Sequence, residues 1–264
     1  MDEKKISFIM CTNNEYYMRE CRLYLDELII PDGYEVNVVE VTGAKSMAAG
    51  YNEGMRKTDA KYKIYMHQDV FLINKSFLID LLSVFQQDAS IGMAGMVGTP
   101  YLIKDGTMWQ GVRFGFFYRL RELVEKDLVH RFYPFDEGYM EMEAVDGLLM
   151  ATQYDIPWRE DLFQKWDFYD VSQSFEFLKA GYKVVVPSQN PEWYIHDCGV
   201  PNLSNYSKER RKFLENYAEY MAGRQNETWE EYLEQVRIKV SKGFHGSEAE
   251  RERLLQLLDG LTDE

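Results

Sequence analysis

Apolar and polar positions in the first seventy residues alternate between a two-residue rhythm and a longer helical one. The run Ile6-Ser7-Phe8-Ile9-Met10 is apolar enough to be a strand covered on both faces. A polar turn, Cys11-Thr12-Asn13-Asn14-Glu15, leads into a helix expected to end near Leu28, ahead of the breaker Pro31-Asp32-Gly33. A second strand is predicted over residues 35–41, then the loop Thr42-Gly43-Ala44-Lys45-Ser46 and a small-residue helix over Met47–Arg56. A third strand, Lys61-Tyr62-Lys63-Ile64-Tyr65-Met66, runs into His67-Gln68-Asp69. Strand, helix, strand, helix, strand is the order of a parallel sheet wound with helices, and such sheets hold ligands beyond the carboxyl ends of their strands. Those ends are residues 12–15, 40–46 and 69, so all three groups are expected to face one crevice.

The middle is less regular. A helix over 76–87 precedes a strand over 91–97, an edge hairpin is expected at 107–115, and loops with a short helix continue to Gly138. Residues 143–152 return to the sheet with a break at Asp146-Gly147. A helix over 170–180 carries Val171, Phe175 and Leu178 on one face and is closed by Gly181, with a strand at 182–186. Beyond Asn202 the pattern turns to charged helix. Thr228 with Glu231, and Ser247 with Glu250, have capping-box spacing, and Leu254, Leu255, Leu258 and Leu261 form an apolar stripe. The expected organisation is an α/β body over residues 1–202 and a helical C-terminal extension over 203–264. The extension reads as a packed appendage or a homodimer contact rather than a separate functional domain.

Composition sharpens this picture. With 264 residues and 45% hydrophobic content, the chain can bury one substantial α/β core and carry a short appendage. Its 19 tyrosines point to partly polar pockets or interfaces as well as core. A net charge of −14 disfavours nucleic acid, which needs a basic face to displace counterions, and disfavours a purely electrostatic membrane anchor. The three cysteines, Cys11, Cys21 and Cys198, have no metal-type spacing and are odd in number, which fits a reduced, cytoplasmic setting. The start, Met1-Asp2-Glu3-Lys4-Lys5, has no signal-peptide pattern, and no apolar run approaches the ~18–20 residues that span a bilayer. A soluble protein is expected.

The most informative triplet is His67-Gln68-Asp69, because a carboxylate at the end of a central strand can hold a divalent cation against a diphosphate. The turn after the first strand offers short polar groups, suited to ribose hydroxyls and a base edge. The competing reading of that turn is a helix N-terminus capped by Asn14.

Taken in order, several segments resemble the family-2-like glycosyltransferases of GT-A fold, especially a bacterial subgroup with an HQDV strand end. They are the first strand with Cys11-Thr12-Asn13-Asn14-Glu15, then Asn52-Glu53-Gly54, His67-Gln68-Asp69-Val70 and Val145-Asp146-Gly147. Trp166-Asp167-Phe168-Tyr169-Asp170-Val171 and Trp193-Tyr194-Ile195-His196-Asp197 complete the set, and the resemblance covers roughly residues 5–200. It implies a GT-A-like, mostly parallel mixed sheet flanked by helices, and an inverting transferase that moves sugar from a nucleotide-diphosphate donor to a hydroxyl of a saccharide or other acceptor. It implies nucleotide contacts at Thr12, Asn14, Glu15, Glu40, Lys45 and Asn52. It implies a divalent cation, Mn2+ or Mg2+, on Asp69 and His196, with His67 where the family has an aspartate. Asp170 stands as catalytic base, with Tyr169 replacing a family glutamate and Asp167 as understudy. Asp146 and Gly147 stand where donor sugar or acceptor is gripped, and Trp166 as a platform for a sugar face.

Two other classes compete with this reading. Sugar-nucleotide synthesis, like dehydrogenase and P-loop chemistry, needs a glycine-rich loop after the first strand, and residues 11–15 offer none; the glycines between Gly92 and Gly98 lie elsewhere. A catalytically degenerate GT-A-like protein, binding a nucleotide sugar or a protein partner, is the alternative that the substitutions at His67 and Tyr169 keep open.

Overall fold

The computed structural model describes residues 1–116, 132–197 and 202–261. Its first part is the wound sheet that the hydrophobic pattern predicts: β1 (Asp2–Thr12), α1 (Glu15–Asp26), β2 (Glu35–Thr42), α2 (Met47–Arg56) and β3 (Ala60–Met66). β1 pairs in parallel with both β2 and β3, so Thr12, Thr42 and Met66 end at one edge. The two-residue period is visible in what each side chain meets. Ile6, Phe8 and Met10 join the core that α1 builds with Met18 and Cys21. Ile9, between them, joins the core on the opposite face with Met47 and Tyr51 of α2. Ser7 is buried in this strand, and its hydroxyl is satisfied by Asn37 and by Thr58 Oγ1 at 2.7 Å.

The chain continues through β4 (Val70–Leu72), α3 (Phe77–Gln87), β5 (Ile91–Gly95), β6 (Val97–Thr99), β7 (Arg113–Gly115), β8 (Phe132–Tyr133), β9 (Tyr139–Glu141) and β10 (Ala144–Val145). Then come β11 (Leu149–Thr152), α4 (Tyr169–Lys179), β12 (Lys183–Pro187) and β13 (Tyr194–His196), followed by α5 (Tyr206–Asn216), α6 (Trp229–Gly243), β14 (Phe244–His245) and α7 (Glu248–Asp259). The main sheet has eight strands in the order β14-β9-β12-β5-β11-β3-β1-β2. It is parallel at β2-β1-β3 and at β5-β12, and antiparallel elsewhere because β11 enters reversed between β3 and β5 and β9 runs reversed between β12 and β14. A four-stranded sheet, β10-β6-β7-β8, and the pair β13-β4 hold the remaining strands.

Two expectations are corrected, and a third lies largely outside the described residues. The strand over 91–97 is two strands in two sheets. Gly95 lies so close to Val145 that an added Cβ would meet its side chain at 2.5 Å, and the chain steps across at Met96. The edge hairpin at 107–115 is instead a 3-10 turn over Met108–Gln110 followed by the single strand β7. The Asp105 carboxylate accepts from the Thr107 amide at 2.8 Å and hydroxyl at 3.1 Å, and so closes that turn locally. Arg113 then lies over the rings of Trp109 and Phe132, at 4.9 and 4.3 Å. The short helix expected before Gly138 falls largely on residues 117–131, outside the described residues, and 132–138 form a strand and turn.

Elsewhere the local signals hold. Gly181 takes the positive φ of +84° that ends α4. Thr228 and Glu231 form the reciprocal capping box. Ser247 caps α7, but the Glu250 carboxylate turns to the Asp136 amide and Arg253, and Glu137 takes the Ser247 amide. The tail is built into the body: Leu233, Val236 and Val240 of α6 and Leu254 and Leu258 of α7 share the core with Tyr51, and β14 pairs with β9.

Candidate functional site

The carboxyl ends of β1 and β2 and the start of α1 enclose a cleft of about 510 Å³, lined by Thr12, Asn14, Glu15, Arg22, Glu40 and Thr42 among others. Four of the nucleotide-contact residues read from the sequence therefore share one hollow. Asn14 also caps α1, its Oδ1 accepting from the amides of Tyr16 at 2.9 Å and Tyr17 at 3.4 Å. Glu40 is not a free acceptor, since Arg22 Nε donates to its Oε1 at 3.0 Å. The turn is held by a residue the sequence reading left unassigned. Gln68 Oε1 accepts from the amides of Asn13 and Asn14, each at 3.1 Å, and Gln68 Nε2 donates to Asn13 Oδ1. Lys45 stands exposed on the loop after β2 and does not line the cleft. Asn52 lies apart from the other nucleotide-contact candidates. It is buried in α2, Nδ2 donates to the Trp158 carbonyl at 2.9 Å, and Oδ1 accepts from the Trp158 amide at 2.8 Å. Its amide clamps α2 to the loop before α4 and does not reach the cleft.

Gln68 joins this cleft to the next cluster, because His67 and Asp69 flank it between β3 and β4. β4 pairs antiparallel with β13, setting His196 opposite Val70 and beside Asp69. His196 Nε2 lies 3.4 Å and His67 Nδ1 3.9 Å from Asp69 Oδ1. One donor atom from each of the three residues lies within 4.8 Å of the others. Burial pushes the His67 imidazole down to about 4, against the pull of Asp69. Burial also pushes the Asp69 carboxyl up, but the His196 hydrogen bond and both imidazoles outweigh it and hold the carboxyl below its usual value. A neutral imidazole beside an ionised carboxylate is the protonation state a cation needs, and these donors suit a divalent ion.

The third cluster is at the start of α4. Phe168, the residue before the helix, takes the left-handed conformation at φ 60°, which costs on the order of 1–3 kcal/mol in a bulky residue and recurs at functional sites. Asp170 follows in the first turn, where Oδ2 accepts from the Gly147 amide at 3.0 Å and Oδ1 from the Val171 amide at 2.8 Å. Burial first, and the neighbouring Asp146 second, push the Asp170 carboxyl up to about 7, despite both amides and the helix N-terminus. Asp146 is itself buried, its Oδ1 accepting from the Leu148 amide at 3.0 Å. Asp167 is pushed up by burial and then by Glu209. Trp166 is 48% exposed on the adjoining loop, free to present its face.

Tyr169 ties the last two clusters together. Its hydroxyl is 2.6 Å from His67 Nε2, and a Cβ added at Gly147 would meet that oxygen at 2.2 Å. Asp69, His196, Asp146, Gly147 and Asp170 are thus connected through two residues, His67 and Tyr169, that the sequence reading treated as losses. The signal was present in the sequence, since both depart from the family pattern at once.

The model of the glycosyltransferase-like family matches residues 7–217, and the chain belongs to that family. Solved structures share the fold at low identity. Staphylococcus aureus TarS 1-349 is 13% identical, covering 95% of this chain and 69% of that one, with a TM-score of 0.50. The mannosyltransferase PcManGT from Pyrobaculum calidifontis, in complex with GDP-Man and Mn2+, is 13% identical over 100% of this chain and 81% of that one, with a TM-score of 0.51. GalNAc-T7, with UDP, GalNAc and Mn2+, is 10% identical over 92% and 58%, with a TM-score of 0.55. The fold is GT-A, and by family the protein is a glycosyltransferase. No curated protein is a significant match. Among the described residues no helix is long and apolar enough to cross a membrane.

Proposed function

We propose that the protein transfers a sugar from a nucleoside-diphosphate donor to an acceptor hydroxyl with inversion at the anomeric carbon, assisted by a divalent cation. The observation that carries this reading is the buried Asp170 carboxyl in the first turn of α4, whose neighbour Tyr169 meets His67 and through it the Asp69–His196 pair. The complexes of PcManGT with GDP-Man and Mn2+ and of GalNAc-T7 with UDP and Mn2+ agree with it.

Thr12, Glu15 and Glu40 bind the nucleoside in the cleft beside α1, and the Asn14 cap keeps the turn rigid. Lys45 meets the diphosphate from its loop. Asp69 and His196 hold the cation, Mn2+ or Mg2+, which when bound neutralises the departing diphosphate. Asp170 takes the proton of the acceptor hydroxyl as the new carbon–oxygen bond forms and the carbon–phosphate-oxygen bond breaks on the opposite face. A base with a value near the working pH is suited to this, and such transfer is worth ~10²–10⁴-fold in rate. Asp146 and Gly147 orient the sugar or acceptor, and Trp166 supplies an apolar face. The free thiols of Cys11 and Cys21 fit a cytoplasmic setting.

The test is release of nucleoside diphosphate from a panel of nucleotide sugars, with Mn2+ or with chelator. Metal-dependent release that Asp170→Asn abolishes supports transfer. Binding without release would support the degenerate reading that the replacements at His67 and Tyr169 keep open, and silence against every nucleotide would overturn transfer in favour of a protein-binding scaffold.

A further inference from the structure

We propose that two copies of this chain pair through the outer face of α1, antiparallel about a two-fold axis at Leu23, with Arg19 of each copy meeting Asp26 of the other. Nothing in this pairing depends on the sugar-transfer reading.

α1 buries Met18 and Cys21 against the sheet, and its opposite face is apolar where a surface helix is normally polar. Ten large apolar side chains stand exposed among the described residues. Five of them, Tyr16, Leu23, Ile29, Ile30 and Ile73, belong to α1, the loop after it and the residue after β4. Tyr16 is 77% and Leu23 67% exposed. Seven residues apart, or two turns of helix, they lie in one row. Beside that row a groove of about 380 Å³ runs between Leu23 and Leu72-Ile73, rimmed by Glu20, Glu27 and Lys75. Ile29 adjoins it, its amide donating to the Lys75 carbonyl at 2.8 Å. Single exposed apolar residues are ordinary, but a contiguous set rimmed by charge marks a contact surface.

Charge selects the partner. Arg19 and Asp26 are again seven residues apart, in the row on one flank of Leu23. Both are exposed, and neither has an ion-pair partner among the described residues; Arg19 only lies over the Tyr16 ring, at 5.2 Å. They stand about 10 Å apart along the helix axis, too far to pair within one chain. An antiparallel two-fold at Leu23 sets position 19 of one copy opposite position 26 of the other on the same flank, and an isologous contact makes that pair twice. The other flank carries Glu20 and Glu27. Glu27 is already held by Lys75 at 2.7 Å, so Glu20 of one copy approaches that ammonium on the other rather than a bare carboxylate. Tyr16 of one copy reaches Ile30 of the other, on either side of the central leucine pair. The face is therefore complementary to itself in both charge and apolarity. A net charge of −14 opposes self-association, and the face is little more than one helix wide, so the pairing is weak and reversible.

Sedimentation equilibrium of the full chain over ~1–300 µM, the weak end of specific interfaces, tests this. We expect a reversible dimer. Leu23→Glu sets two charges at the axis and leaves a monomer throughout. Arg19→Asp and Asp26→Arg each bring like charges together twice per dimer and weaken it by roughly tenfold or more. Combining Arg19→Asp with Asp26→Arg re-forms both pairs and returns the dissociation constant to within about threefold of wild type. Circular dichroism matching wild type shows that each variant folds, and Leu23→Ala serves if Leu23→Glu does not. A wild-type chain that stays monomeric to the top of the range overturns the proposal. A dimer indifferent to Leu23→Glu overturns it by moving the contact elsewhere. Single charge variants as tight as wild type, or a double variant no tighter than the singles, would overturn the antiparallel register.

Discussion

Asp170 holds two opposed interests in one side chain. The fold binds its proton more tightly than the unfolded chain does, because burial and Asp146 raise the carboxyl to about 7. Ionisation therefore costs stability: nothing below the unfolded value near ~4, more as pH rises, and the full amount above about 7. Asp170→Asn removes that cost. It also turns an NH2 toward one of the two amides that the carboxyl accepts, so its thermal stability should lie below wild type by about 1–3 kcal/mol near pH 4 and gain on wild type by about 1–3 kcal/mol between pH 4 and pH 8, while turnover falls by ~10²–10⁴-fold. In the wild-type protein kcat/KM should climb with pH and level off above about 7, as the base ionises. A difference between the two proteins that stays constant from pH 4 to pH 8 would remove the strained-carboxylate account. Gly147 is the other decisive residue at this scale. Gly147→Ala forces a methyl into the Tyr169 hydroxyl, so we expect a loss of about 1–3 kcal/mol in denaturant unfolding and weaker turnover through the displaced His67.

Among the elements, the sequence made legible whatever repeats locally. The alternation in Ile6–Met10 marked β1, and the bounds of α2 read from small residues are those observed, Met47–Arg56. Partners far apart in the chain were not legible. His67 meets Tyr169 across 102 positions, and Asn52 meets Trp158 across 106. No local spacing encodes either contact, so nothing near Asn52 in the chain announces its hydrogen bonds to Trp158. The left-handed Phe168 was equally hidden, since only tertiary packing against Phe213 and Tyr206 justifies that backbone. Gln68 is the instructive middle case, because its motif was seen while its purpose was not. It latches the β1–α1 turn to the β3–β4 turn through three hydrogen bonds to Asn13 and Asn14. Asn13 is exposed, so water replaces the lost acceptor in Gln68→Ala. We expect a stability change under about 1 kcal/mol but roughly tenfold weaker nucleotide binding by calorimetry, the cost of ordering a freed loop. Unchanged affinity would show that the latch does not organise the cleft.

For the whole molecule, the question is what fastens the C-terminal part to the catalytic body, because a change of hydropathy at Asn202 concealed that the tail completes the main sheet. Apolar burial supplies part of the answer through Leu233, Val236, Leu254 and Leu258. Glu143 supplies the polar part. Its carboxylate accepts from the Leu102 amide at 2.8 Å, from Arg224 at 2.9 and 3.2 Å, and from Lys239 at 3.0 Å. Arg224 and Lys239 belong to the tail, and Glu143 and Leu102 to the body. Burial pushes the Glu143 carboxyl up, but Arg224 and then Lys239 outweigh it and hold it below its usual value. A depressed carboxyl gives stability that is complete above the unfolded value near ~4.3 and is lost as pH falls through the lower folded one. Glu143→Gln keeps an acceptor for Leu102 but leaves the buried Arg224 guanidinium without its counter-charge, so we expect a loss of about 2–4 kcal/mol at pH 7. The loss should shrink as pH falls below about 4, where the wild-type carboxylate is itself being protonated. Denaturant unfolding of both proteins across that range measures the gap, and limited proteolysis at pH 7 should cut the variant first within α5–α6. A gap that stays constant with pH would mean the tail is held by its apolar contacts alone.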